Sequence, residues 1–133
     1  MSGAFKGIRG FAIVLTLVLA GCAGNSAKQV TEGTPIADIM ALAQEQVDRG
    51  NYKNAAEYYN EVERLHPYSI EAKHAIIGAA KAYHEKGMYP ESRAAAARYL
   101  DFYPTTAEAP LAMYLVALSY YDQIVDVKRD QRN

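Results

Sequence analysis

The histidines and the cysteine of this chain are the first candidates for a metal site or a catalytic centre. His66, His74 and His84 follow one another at intervals of eight and ten residues. No two of them therefore lie one helical turn apart, as a zinc-binding pair on a helix would. The single cysteine has no second thiol to pair with, and the sequence contains no glycine-rich phosphate loop and no Gly-x-Ser-x-Gly motif.

The acidic side chains give no better candidate for catalysis. Glu57, Glu61 and Glu63 lie close together with Arg64. Their spacing is typical of a solvated helix face with an ion pair between Glu61 and Arg64, three residues apart. We therefore predict no catalytic residue, no metal site and no cofactor, and a protein that is not an enzyme.

The position of the cysteine, Cys22, indicates a different role. Two basic residues, Lys6 and Arg9, precede an apolar run at 11–19 and two small residues at 20–21. This order is that of a secretory signal peptide, which we predict over residues 1–21. The apolar run is about half the ~20 residues that a membrane-spanning helix needs, so a permanent anchor is the weaker interpretation. An ordinary signal peptide followed by a chance cysteine is the alternative.

Residues 19–22, Leu-Ala-Gly-Cys, resemble the lipobox of bacterial lipoproteins. The resemblance implies that Cys22 is lipidated with three acyl chains and becomes the first residue of the mature protein. Several acyl chains on one residue hold a protein stably to a bilayer. Ala23, in place of an aspartate, implies sorting to the outer membrane. The predicted location is the periplasmic face of that membrane, with a lipid anchor.

Composition bounds the rest of the chain. The full 133 residues carry a formal net charge of −1, and residues 1–21 hold two basic and no acidic residues, which leaves −3 for the mature protein. A negative chain without a clustered basic face excludes nucleic acid as an expected partner. After Cys22 the sequence is small, polar and without periodicity, so we predict a flexible tether over residues 22–34.

Beyond the tether, the sequence repeats itself at an interval of 37 residues. Residues 50–52 (Gly-Asn-Tyr) correspond to 87–89 (Gly-Met-Tyr), 66–67 (His-Pro) to 103–104 (Tyr-Pro), and 79–83 to 116–120. Self-similarity at one fixed period in this range is typical of a solenoid.

Each repeat has the signals of two helices. In the first repeat Thr34 is a candidate cap before Pro35, Gly50 ends the first helix, and Asn51 caps the second. In the second repeat Ser69 caps, Gly87 ends the first helix and Pro90 falls in the opening turn of the next; Thr106 with Pro110 starts another helix. No alternating run is long enough for a strand. The predicted fold is all-α, with repeats at 35–69 and 70–106 and an incomplete one at 107–133.

This pattern resembles the tetratricopeptide repeat, a helical hairpin of about 34 residues. Small residues at the helix crossings allow close approach: Ala43 with Ala55, and Ala80 with Ser92. Large residues exchange places between the repeats, as Tyr59 and Val62 become Ala96 and Tyr99, which keeps the core volume. A four-helix bundle is the alternative, although a bundle does not require marks that recur in register.

The third repeat begins with a helix from Pro110 to about Gln123 that is apolar on most of its faces. Such a helix is usually buried on more than one side. We therefore expect either that the chain is part of a longer protein or that something else covers this surface.

Two stretches, Tyr58–Ser69 (YYNEVERLHPYS) and Ser119–Gln131 (SYYDQIVDVKRDQ), closely resemble the BamD family of outer-membrane assembly lipoproteins, above all its alphaproteobacterial form. The resemblance covers the lipobox and residues 35–131. It implies a non-catalytic subunit of the complex that assembles and inserts β-barrel proteins into the outer membrane. The alternative is a lipid-anchored scaffold that organises cell-wall enzymes or pilus assembly.

The resemblance also implies partners. The amino-terminal repeats of this family receive the C-terminal signal of unfolded barrel proteins, and the later repeats contact the subunits BamA and BamC. Family members have about five repeats, and this chain stops within the third, so its contact with BamA is expected to need the missing repeats.

In such solenoids the first helix of each repeat lines the concave face. The predicted peptide-binding groove contains Gln44 and Asp48, then His74, Lys81, His84 and Glu85, then Tyr114, Leu118 and Tyr121. Lys81 would pair with the terminal carboxylate of the peptide, and Tyr114 and Tyr121 would pack on its aromatic side chains. The alternatives are a solvated lysine and tyrosines that belong to the core.

Overall fold

The computed structural model describes residues 29–124, which form five α-helices and, within that range, no strand. The helices are α1 (Ile36–Asp48), α2 (Tyr52–Leu65), α3 (Ile70–Glu85), α4 (Tyr89–Phe102) and α5 (Ala109–Asp122). The predicted signal peptide at 1–21, Cys22 with most of the tether, and the end of the third repeat at 125–133 lie outside the described residues.

Most of the predicted helix boundaries are confirmed. The Ser69 hydroxyl accepts a hydrogen bond from the backbone N–H of Ala72 (3.0 Å) at the start of α3. Gly50 and Gly87 follow α1 and α3 with φ of 72° and 77°, in the left-handed region that glycine adopts without a steric penalty. Pro90 lies in the first turn of α4, where no N–H is needed.

Two of the predicted caps are placed differently. Pro35 occupies the N-cap position of α1, and the hydroxyl of Thr34 accepts a hydrogen bond from the N–H of Thr31 instead (3.1 Å). Asn51 is at the N-cap position of α2, but its side-chain amide donates to Oε1 of Gln46 (3.1 Å). Thr34 thus bonds within the preceding turn and Asn51 bonds back to α1, so neither side chain caps the helix that follows it.

The packing order identifies a solenoid of helical hairpins. Each helix contacts the next one in the chain, and α3 also contacts both α1 and α5. Among the described helices, α1 makes no contact with α4, although closure of a four-helix bundle would bring those two together. The bundle alternative is therefore wrong, and the first helices of successive repeats lie side by side.

Two hydrophobic clusters share α3. The first lies between α1, α2 and α3 and is centred on Ile39, Tyr59 and Val62. The second lies between α3, α4 and α5 and is centred on Ile76 and Tyr99. Each hairpin therefore completes its core only against the first helix of the next repeat.

The small residues predicted at the helix crossings are all fully buried. Ala43 and Ala55 pack in the first cluster, and Ala80 and Ser92 occupy the equivalent crossing in the second repeat. The Ser92 hydroxyl donates to the carbonyl oxygen of Ala80 (2.8 Å) and accepts from the Ser119 hydroxyl (3.1 Å). These bonds satisfy the two buried hydroxyls and join three helices.

The predicted exchange of large residues is also present, with Tyr59, Val62, Ala96 and Tyr99 all buried. A glycine in the middle of α3 makes room for one of them. A Cβ on Gly78 would lie 2.8 Å from Cζ of Tyr59, closer than two carbon atoms can approach. The Tyr59 ring therefore packs directly against the α3 backbone.

Candidate functional site

The first helices of the three repeats, α1, α3 and α5, present one continuous side of the solenoid. Their contacts through α3 place them in sequence order. We call this side the first-helix surface. The name covers the residues of the predicted groove, all of which lie on these three helices: Gln44, Asp48, His74, Lys81, His84, Glu85, Tyr114, Leu118 and Tyr121.

The part of this surface on α1 and α3 is polar. The Gln44 amide donates to Oδ1 of Asp48 (2.8 Å), and both side chains are exposed. Lys81 is exposed and, among the described residues, forms no ion pair. Glu85 is exposed one turn further along α3. Lys81 is therefore the side chain of this part that can neutralise a ligand carboxylate.

His84 lies at the junction of α3 and α5. Its Nε2 is 3.0 Å from Oδ2 of Asp122, at ion-pair distance, although the ring orientation gives no hydrogen bond. Its ring centroid is 5.4 Å from that of Tyr89. The side chain is only 15% exposed. In this structure His84 joins two helices of the surface and offers little area to a ligand.

His74 lies two turns before Lys81, about 10 Å away along α3, and half of its side chain is exposed. Its Nδ1 is 3.8 Å from Oε1 of Glu108, and Nζ of Lys73 is 3.9 Å from Oε2. A hydrogen bond from its own backbone N–H, with smaller contributions from Lys73, Tyr99 and His74, lowers the pKa of Glu108. His74 thus lies in a cluster of ionisable side chains, with Lys73 and Glu108, at the start of α5.

The part of the surface on α5 is aromatic. Tyr114 and Tyr121 are both exposed and lie seven residues apart, about 10 Å along one side of the helix, with Leu118 between them. The 37-residue register explains why Tyr114 is not core. Its equivalent in the second repeat, Ile77, is 6% exposed beneath α5, whereas Tyr114 is 59% exposed on the last described helix.

A second exposed side of α5 has another origin. Met113 and Ala117 correspond to Ile76 and Ala80, which are buried against α4. In the described part of the chain no helix follows α5, so Met113 and Ala117 are exposed. This agrees with the predicted helix that is apolar on most faces, and it separates a helix-packing side from the first-helix surface.

A groove of about 820 Å³, which the sequence did not predict, lies on the opposite side, between α2 and α4. Arg64, Tyr68, Phe102 and Tyr103 line it, and an ion pair between Glu63 and Arg98 crosses it. The recurring His-Pro and Tyr-Pro pairs lie at its end, since Pro67 and Tyr103 are among its lining residues.

Within residues 29–124, no group of three or more His, Cys, Asp or Glu side chains is placed to hold a metal ion. Over the same range, none of the helices combines the length and the apolar character needed to cross a membrane.

Comparison with known proteins identifies the family. The family model YfiO, described as outer membrane lipoprotein, matches residues 33–133. The outer membrane protein assembly factor BamD of Caulobacter vibrioides is 38% identical over 122 residues, covering 90% of this chain and 40% of that protein. The protein of the same name from Rickettsia prowazekii is 31% identical over 120 residues, covering 90% of this chain and 47% of its own length.

The BamD of Neisseria gonorrhoeae is 27% identical over 115 residues, covering 84% of this chain and 43% of that protein. The chain thus spans less than half the length of the curated relatives it matches. All three relatives are named as assembly factors, not as enzymes. The match over residues 33–133 includes every described helix, and the chain belongs to the YfiO family of outer membrane lipoproteins.

Proposed function

We propose that this chain is a lipid-anchored assembly factor that takes part in the insertion of β-barrel proteins into the outer membrane. The observation that carries the proposal is the match to assembly factors of this name, at 38% identity over 90% of the chain. Its anchor is the acylated Cys22, and its repeats face the periplasm. Its partners are unfolded barrel proteins and, through further repeats, BamA and BamC.

The first-helix surface suits the C-terminal signal of a barrel protein, which is extended, aromatic and ends in a carboxylate. Neighbouring helices pack about 10 Å apart, so the path from α1 across α3 to α5 is about 20 Å long. An extended peptide rises about 3.3 Å per residue and would cross it with about six residues. Lys81 would pair with the carboxylate, and Tyr114 and Tyr121 would pack on aromatic side chains.

The binding test uses a synthetic C-terminal barrel peptide and the variant Lys81→Glu with Tyr121→Ala. Loss of one ion pair and one aromatic contact is expected to weaken binding about tenfold, since each 1.4 kcal/mol is a factor of ten. The matched control is Lys86→Glu with Tyr68→Ala, which makes the same chemical changes at exposed positions outside the surface. Unchanged affinity in the first variant, or equal losses in both, would show that this surface is not the peptide site.

Two measurements on cells test the wider role. The tagged protein should co-purify with BamA and nascent barrel proteins; recovery of peptidoglycan enzymes or pilins instead would favour a cell-wall or pilus scaffold. The intact mass of the mature protein should show an acylated Cys22 after loss of residues 1–21.

A further inference from the structure

The helices alternate in direction, so one end of the stack carries the start of α1, the α2–α3 connection and the α4–α5 connection. We call it the tether end, because the segment leading back to Cys22 begins there. Val30 packs against the first hydrophobic cluster, and Thr34 donates its N–H to the carbonyl oxygen of Thr31 (2.9 Å). The path of the chain at residues 29–34 is therefore fixed at this end.

The charge of Glu32 agrees with that placement. The hydrogen bond to Glu61 raises the pKa of Arg64 most, and the carboxylate of Glu32 raises it further. Glu32 therefore lies near the end of α2, beside the groove that Arg64 lines.

Three large apolar side chains are exposed at the same end. Tyr68 in the α2–α3 connection is fully exposed, Ile70 begins α3, and Phe102 ends α4. Tyr68 and Phe102 also line one groove, so they are neighbours. We call these three residues the edge patch. Exposed apolar groups that cluster in this way mark a contact with a partner or a membrane.

The short length of chain between the anchor and this end keeps the tether end close to the membrane. Gln29 lies seven positions after Cys22 in the chain, with six residues between them. Whatever path the chain takes between them, seven residue steps span at most about 25 Å. The opposite end of α3 lies a further ~24 Å away, since its 16 residues rise about 1.5 Å each.

We propose that the edge patch inserts into the interface of the phospholipid bilayer to which Cys22 is anchored, so that the repeats stand on the membrane by their tether end. The inference rests on the lipid anchor of the proposed function. Aromatic and aliphatic side chains favour this interface. Glu71 and Asp101, which follow Ile70 and precede Phe102, are exposed carboxylates. These two side chains contribute no attraction to anionic lipid headgroups, so the contact depends on the apolar side chains of the edge patch. High salt should therefore not abolish it.

The absence of tryptophan from the sequence provides a clean probe. Phe102→Trp reports from the patch, and Ile124→Trp is the matched control at the opposite end; the two positions are 65% and 58% exposed. The mature chain is coupled through its one cysteine, Cys22, to maleimide lipid in vesicles of phosphatidylethanolamine and phosphatidylglycerol. Quenching by brominated phospholipid should be at least threefold stronger for the tryptophan at 102, and Tyr68→Ser with Ile70→Ser should at least halve it.

Equal quenching at the two positions would overturn the inference. So would a blue shift at position 102 without lipid quenching, because a protein contact would then cover the patch. The intact mass from cells separates this result from the proposed function. An acylated Cys22 with no quenching refutes the insertion of the edge patch and leaves the lipid anchor in place. An unmodified Cys22 with strong quenching refutes the lipid anchor, while the affinity of the edge patch for lipid stands.

Discussion

The ion pair between Glu63 and Arg98 should make a measurable contribution to coupling between the first and second hairpins. Nε of Arg98 donates to Oε1 of Glu63 and a terminal nitrogen donates to Oε2, both at 2.8 Å. The pair joins α2 to α4, whose backbones make no contact with each other. In a solenoid, stability is roughly a sum of repeat terms and nearest-neighbour interface terms, so this pair belongs to an interface term.

Its size follows from its geometry and burial. Exposed ion pairs contribute about 0.2–1 kcal/mol to stability. An ion pair with two parallel charge-assisted hydrogen bonds is stronger than one with a single bond. The two side chains are 36% and 24% exposed, so solvent screens them only in part. We expect a coupling free energy of about 1 kcal/mol between Glu63 and Arg98.

The assay is a double-mutant cycle with Glu63→Ala and Arg98→Met, in which methionine keeps much of the packing of the arginine stem. Urea unfolding gives the free energy of each variant. The control cycle removes Glu61 and Arg64, a paired couple on α2 alone that lines the same groove and is more exposed. A coupling for Glu63–Arg98 no larger than that of the control would refute the assignment of this pair to the repeat interface.

Three further substitutions test individual contacts. Tyr99→Phe removes a buried hydroxyl bonded to Thr106 (2.7 Å) and Glu108 (3.2 Å) and should lower the free energy of unfolding by about 1 kcal/mol in urea titrations. Ser69→Ala should cost about 1 kcal/mol in the same assay, since the N–H of Ala72 loses its cap. Glu108→Gln should destabilise the protein at neutral pH only. The pKa of Glu108 is lowered from 4.5 in the folded state, so its contribution is complete above the unfolded value and is lost as pH falls through the lowered one. The unfolding curves of the two proteins should therefore converge in acid, and a constant difference from pH 7 to pH 3 would contradict the contacts of this carboxylate.

The helices and their register were predictable because their signals are local. Gly50, Gly87 and Ser69 act through their own backbone or the next turn, so the same signals produce the same boundaries in each repeat. The small residues Ala43 and Ala80 were recognisable because a fixed period aligns them. Where a signal had two uses, the prediction was wrong. Thr34 bonds within the preceding turn and leaves the N-cap position to Pro35.

Contacts that depend on how one repeat stacks on the next were not predictable. The sequence separation of Glu63 and Arg98 is 35 residues, close to the repeat length, but nothing local indicates that their side chains meet. Gly78 has the appearance of a weak point in a helix, and only the position of the Tyr59 ring explains it. The helical position of His84 predicts a place in the groove, whereas the packing of α5 against α3 brings Asp122 within 3.0 Å of its Nε2.

The direction of the helices relates the two proposed surfaces to each other. The helix axes run from the tether end to the opposite end, so a bilayer at the tether end lies across the ends of the helices. A peptide that crosses α1, α3 and α5 would then run parallel to the membrane. Lys81 is 11 residues from the start of α3 at Ile70, which places it about 16 Å above the edge patch. A shorter tether should hold such a peptide at the same height, because the edge patch, and not the length of the tether, sets that distance; a height that changes with tether length would contradict the contact of the patch with lipid.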